Sequence, residues 1–212
     1  MHAIHTTPGF VVSSRSTGEA GKFISIFTRD LGLIRASAQG IRFEKSKLRP
    51  FIQDYSLGVF SFVRGKEFWR LTNAQENILQ NVSLVGRDRE VWNVGKKELI
   101  ARIALLLGRL LQGEDAHPEL FVTLDSLFVF LANFRIGTTS GANDKLNDEL
   151  LNNLESLIVV RILHRLGYVA NIPNISEYLV SDKISEQLLM SLKERRVLIN
   201  QHINKALRES HL

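Results

Sequence analysis

The stretch Gly18-Glu19-Ala20-Gly21-Lys22-Phe23-Ile24-Ser25-Ile26-Phe27-Thr28 decides how this chain folds. Ile24 and Ile26 fall on one face of an extended run, the period-2 signature of a half-buried strand. Asp30-Leu31-Gly32 then turns the chain, Leu33 to Ala38 returns it, and Gly40 breaks the second run. The same grammar continues on both sides. Phe10-Val11-Val12 starts an earlier strand, and Tyr55 to Val63 alternates with Phe60 and Phe62 in phase. Arg64-Gly65-Lys66 reads as a hairpin turn, after which Glu67 to Thr72 runs back with Trp69 and Leu71 on one side. Five short strands within about 70 residues, bent at glycines, suit a small closed barrel of the OB type.

The period changes near residues 78 to 95. Beyond it, Leu99, Ile100, Ile103, Leu106, Leu107, Leu110 and Leu111 follow the i, i+3, i+4 rule of an amphipathic helix. His117-Pro118-Glu119 opens a second helix, with proline in its first turn, and Leu120, Leu124, Leu127, Phe128 and Leu131 form its buried stripe. A third runs from about Asp144 to Leu166 and stops at Gly167. Ser181-Asp182 is the expected cap of a last helix reaching about Ser210. The fold class is therefore α+β: an N-terminal OB-fold β-barrel at residues 1–80, then an all-α helical domain at residues 81–212.

Charge divides along the same line. Residues 1–80 hold 11 Lys/Arg against 6 Asp/Glu, and residues 81–212 hold 16 against 16, so the formal charge of +5 sits in the β half. That is either a nucleic-acid-binding module on a neutral helical platform or a merely solvated basic surface. The chain has no cysteine, which removes disulfides, thiolate zinc sites and cysteine nucleophiles. Met1-His2-Ala3-Ile4-His5 lacks the basic and apolar regions of a signal peptide. No apolar run approaches the ~20 residues that span a bilayer, and a soluble protein without membrane partners is expected.

No catalytic constellation emerges. Gly21-Lys22 ends like a phosphate-binding loop, but Ser16 stands where the first glycine belongs and Phe23 where the magnesium-binding hydroxyl belongs. His117-Pro118-Glu119 has the His-x-Glu spacing of zinc deaminases without the paired cysteines. His2 and His5 make a weak ligand pair, and His164, amid Arg161 and Arg165, reads as a surface or interface residue. Neither a Gly-x-Ser-x-Gly elbow nor a Gly-x-Gly-x-x-Gly fingerprint occurs. Asn81-Val82-Ser83 fits a glycosylation acceptor, which carries no meaning without an export signal. No enzyme, cofactor or metal is expected.

What remains is Gln39-Gly40-Ile41-Arg42-Phe43-Glu44-Lys45-Ser46-Lys47-Leu48-Arg49. With Arg35 before it, this segment carries five cations and one carboxylate. Phosphates take charge-assisted donors along a groove, and bases stack on flat aromatic faces. Arg35, Arg42, Lys45, Lys47 and Arg49 are the candidate phosphate contacts, Ser46 a hydroxyl donor and Phe43 a stacking platform. The alternative is that Phe43 and Phe51 pack into the barrel while the charges hydrate.

Gly18-Glu19 before a strand, Ile26-Phe27-Thr28, Leu31-Gly32, Ala38-x-Gly40, Arg42, Ser46-Lys47-Leu48 and Arg64-Gly65 form an ordered pattern. In it the chain resembles the RecO recombination mediators of bacterial DNA repair. Leu163-x-x-Leu166-Gly167-Tyr168 extends the resemblance more loosely into the helical half. Many family members carry a four-cysteine zinc element after that segment. Here Val169 to Leu179 follows instead, so the chain resembles the metal-free branch.

The resemblance implies an OB-fold protein that binds single- and double-stranded DNA and anneals complementary strands. It further implies help in loading RecA onto strands coated by single-strand-binding protein. The implied partners are RecR, in some cases RecF, the acidic tail of single-strand-binding protein through the helical domain, and RecA indirectly. The implied location is the bacterial cytoplasm, at the nucleoid. An OB-fold adaptor that binds proteins alone, or an RNA-binding OB protein, stays open as an alternative.

Overall fold

A computed structural model describes residues 3–76, 94–134, 142–171 and 173–210, with the side chains of 142–144 outside the description. The described residues fall into two compact units. The first holds the strands together with residues 104–118; the second holds residues 94–103 and those from 119 onward. The expected boundary at residues 80 and 81 lies outside the described residues, as does Asn81-Val82-Ser83.

In the first unit β1 (Ile4–Thr17), β2 (Gly21–Thr28), β3 (Gly32–Ala38), β4 (Leu57–Arg64) and β5 (Trp69–Gln75) close a barrel in the order β1-β2-β3-β5-β4. All five expected strands are present. The first is longer than its apolar start suggests. Its front half pairs with β4 from Ile4 opposite Val63 to Phe10 opposite Leu57, and its back half pairs with β2. An irregularity between Val11 and Ser13 bends it from one neighbour to the other, as a bulge at a barrel corner does. Pro8 and Gly9 conceal this in sequence, because both residues ordinarily count against a strand. A short parallel pairing, Ala36 opposite Trp69 and Ser37 opposite Arg70, closes the ring.

The barrel core is the set of in-phase residues. Ile24, Ile26, Ile34, Ala36, Phe60, Phe62, Trp69 and Leu71 are buried, and Ile41 and Ile52 from the long β3–β4 connection join them. Gly65 makes the β4–β5 turn possible. Its amide donates to the Phe68 carbonyl at 3.0 Å, and a Cβ at Gly65 would stand 2.3 Å from that oxygen. Residues 113–115 pack on the same unit. Gly32 lies at φ +71°, where an added Cβ would meet the Asp115 carbonyl at 2.2 Å. The Glu114 carboxylate accepts from Trp69 Nε1 at 3.1 Å and pairs with Arg64.

The helices are α1 (Val94–Leu110), α2 (Pro118–Asn133), α3 (Ala142–Arg165), α4 (Ser176–Val180) and α5 (Glu186–Glu209). Pro118 does open α2, and Gly167, at φ +81°, follows the end of α3. The last helix starts later than expected. Its cap is Ser185, whose hydroxyl accepts from the Leu188 amide at 3.2 Å. Asp182 is committed elsewhere: it accepts from Thr123 at 2.7 Å and from Arg165 at 3.1 Å. Within the second unit, Leu154, Leu157, Ile158 and Ile162 of α3 and Leu189, Leu192 and Ile199 of α5 are buried.

Arg161 is buried. Its guanidinium donates to the carbonyls of Tyr178 at 2.7 Å and of Asp182 and Lys183 at 3.3 Å. Burial pushes its pKa down to about 10, and nearby Asp182 opposes that shift. Beside it His164 is half-buried, its Nδ1 2.8 Å from the Val169 carbonyl.

Candidate nucleic-acid interface

The β3–β4 connection is a chain of tight turns rather than a loose loop. Phe43 N donates to the Gly40 carbonyl, Ser46 N to that of Phe43, and Arg49 N to that of Ser46, at 3.0–3.3 Å. Arg42 N donates to the Ala20 carbonyl at 3.1 Å, and the Arg42 guanidinium to that of Gly18 at 3.3 Å. The segment is therefore tied to the β1–β2 turn. Ile41 points into the core, while Leu48 and Phe51 pack partly against it.

Those apolar anchors leave the polar residues outside. Arg42, Lys45, Lys47 and Arg49 are exposed, and Ser46 is half-buried. Phe43 is 64% exposed, so its ring is not part of the core, whereas Phe51 is partly buried against it. Among the described residues, none of Arg35, Arg42, Lys45, Lys47 and Arg49 has an ion-pair partner. Arg64 differs, since it pairs with Glu114 and lies 4.9 Å over the Trp69 ring. Five exposed cations without carboxylate partners leave a field that an anion can fill.

Arg35 occupies a different part of the surface. It projects from β3, opposite Ser25 of β2, which in turn lies opposite Ser13 of β1. One step along, Arg15, Phe23, Ser37 and Arg70 stand side by side on four successive strands. An open groove of about 500 Å³ runs over this face, lined by Arg15, Phe23, Arg35 and Phe68 with Ser13 and Ser25 among its other walls. Phe23 and Phe68 meet edge to face, with ring centroids 5.1 Å apart and planes at 63°.

Sequence reasoning found Arg35 and missed its companions. Phe23 is the out-of-phase aromatic of β2, between buried Ile24 and the Lys22 that donates to Ser14. That phase was a usable signal. Phe68 was likewise out of phase with Trp69 and Leu71 in the expected strand from Glu67, although in the structure it precedes β5, which starts at Trp69.

Lys22 of the near-miss phosphate loop is bonded to the Ser14 hydroxyl at 3.2 Å, and Glu119 of the His-x-Glu triplet pairs with Arg165. Among the described residues, no three histidine or carboxylate side chains gather in a way that could hold a metal ion. No described helix is long and apolar enough to cross a membrane.

The comparisons with known proteins agree with the barrel. A family model described as "Recombination protein O N terminal" matches residues 1–76. The DNA repair protein RecO of Synechocystis sp. is 30% identical over 121 residues, which is 57% of this chain and 43% of that protein. The RecO of Halalkalibacterium halodurans is 29% identical over 121 residues, covering 57% of this chain and 44% of the relative. That of Dehalococcoides mccartyi is 35% identical over 69 residues, or 32% and 27%. The matches thus span less than half the length of these relatives.

Proposed function

We propose that this chain, which belongs to the RecO family through the barrel at residues 1–76, is a mediator of DNA repair and recombination. In this reading it binds single- and double-stranded DNA, anneals complementary strands and helps load recombinase onto strands coated by single-strand-binding protein. The observation that carries the reading is the β3–β4 segment. Four exposed cations and an exposed Phe43 are held on a framework of backbone hydrogen bonds, with no carboxylate paired to them among the described residues. A surface tied down in this way spends little entropy in meeting a phosphate backbone.

The division of labour follows the charge. The barrel, taken as residues 1–80, is the DNA-binding domain, and residues 81–212 form the helical domain that lacks a zinc element. Arg35, Arg42, Lys45, Lys47 and Arg49 neutralise phosphates, Ser46 adds a hydroxyl and Phe43 stacks on a base. Binding and annealing require no covalent step, so a non-enzymatic role suits these residues. The proposed partners are RecR, RecF in some assemblies, the acidic tail of single-strand-binding protein, and RecA at one remove. The proposed setting is the bacterial nucleoid.

The test is annealing of complementary strands precoated with the cognate single-strand-binding protein. The protein is expected to accelerate duplex formation over the coated strands alone. Equal rates with and without it would remove the mediator reading. Competition with RNA of matched sequence decides between DNA repair and RNA handling: displacement by RNA at equal concentration favours the latter.

A further inference from the structure

The strand face beside the basic segment carries features that phosphate binding alone does not use. Phe23 and Phe68 are 36% and 41% exposed and pack on each other edge to face. An edge-to-face pair sets the rim of one ring against a face of the other, and the ring surface that stays exposed is available to a ligand in the groove the two residues line. Two cations, Arg15 and Arg35, line the same groove, and neither has an ion-pair partner among the described residues. Ser13 and Ser25 add hydroxyls between them. An exposed aromatic pair serving only the core would not need this surround.

We propose that Phe23 and Phe68, flanked by Arg15 and Arg35, form a stacking slot for unpaired bases of single-stranded DNA. The slot is distinct from the 42–49 segment and makes the barrel prefer single strands. The proposal rests on the DNA-binding reading above and adds a subsite to it. Charge complementarity selects the occupant: flat aromatic surface takes a base face, while a guanidinium on each side takes the phosphates of neighbouring nucleotides. A duplex cannot use the slot, because its base faces are already stacked on one another. The volume of the groove, about 500 Å³, leaves room for a nucleobase. Gly65 permits the tight β4–β5 turn that carries Phe68, since its amide donates to the Phe68 carbonyl at 3.0 Å and no Cβ stands in the way.

The experiment measures binding of the full chain to a thymidine oligonucleotide, to an abasic strand of the same length and to a duplex, each across a salt series. The parent is expected to prefer the base-bearing strand over the abasic one. Phe23→Leu and Phe68→Leu keep apolar bulk and remove the flat ring, so the fold is expected to survive, with the melting temperature as the check. Each should weaken thymidine-strand binding about 5- to 100-fold, the range that base–aromatic stacking supplies. The salt slope, abasic-strand affinity and duplex affinity should not change. If the parent binds abasic and base-bearing strands alike, the slot is overturned without any variant. It is also overturned if both leucine variants bind as the parent does; the DNA-binding reading survives where Arg42, Lys45 and Lys47 substitutions still weaken binding. A parent that binds no DNA removes both.

Discussion

Phe43 and Phe51 are eight residues apart on one segment and have opposite fates. Phe51 packs against the barrel core, whereas Phe43 is 64% exposed beside Gly40. Phe43→Ala should therefore leave the melting temperature within the small range of surface substitutions and weaken single-strand binding with an unchanged salt slope. Phe51→Ala should lower the melting temperature by removing partly buried apolar surface. Equal melting shifts for the two would place both rings in the core. Arg161 illustrates the cost of a buried cation. Arg161→Met deprives three carbonyls of their donor, so chemical denaturation should show a loss of about 3 kcal/mol. Asp30 gives a pH signal. Its hydrogen bond from Arg29 holds its carboxyl below the usual carboxylate range. A depressed folded-state pKa contributes stability above the unfolded value of 3.8, and that contribution is lost as pH falls through the lower folded value. Asp30→Asn should flatten the acid limb of the stability curve slightly, since both partners are about half exposed.

At the scale of elements, the in-phase apolar residues made the strands legible. Ile24 with Ile26, Phe60 with Phe62 and Trp69 with Leu71 all point inward as their alternation requires. The hairpin at Arg64-Gly65-Lys66 was legible too, although the loop extends to Phe68 before β5 starts at Trp69. Gly65→Ala tests that turn. The new Cβ collides with the Phe68 carbonyl, so the hairpin must open at a cost of about 1–3 kcal/mol, read as a lower melting temperature. Boundaries set by tertiary contacts were not legible. The front of β1 is a strand because β4 pairs with it, against the preferences of Pro8 and Gly9. The start of α5 was misjudged because a local capping rule cannot know that Asp182 is claimed by Thr123 and Arg165. Charges in the 42–49 segment were readable because they are contiguous. The groove was not, since it gathers residues from three strands and a turn whose adjacency depends on register.

At the scale of the molecule, charge and fold divide differently. Net charge separates the first 80 residues from the rest, yet residues 104–118 belong to the same compact unit as the barrel. Glu114 is part of that unit through Trp69 and Arg64. Glu114→Gln should destabilise the protein by about 1 kcal/mol and leave DNA binding by the 42–49 segment unchanged. The central claim is that the exposed cations of that segment neutralise DNA phosphates. The most direct measurement is the salt dependence of single-strand affinity for the parent and for the Arg42→Ala, Lys45→Ala, Lys47→Ala triple variant. Three lost contacts, at ~0.7 in log–log slope each, should flatten the dependence by about 2 units and weaken binding at fixed salt, with the melting temperature retained. An unchanged slope and affinity in the triple variant would contradict the account and leave the segment a solvated surface.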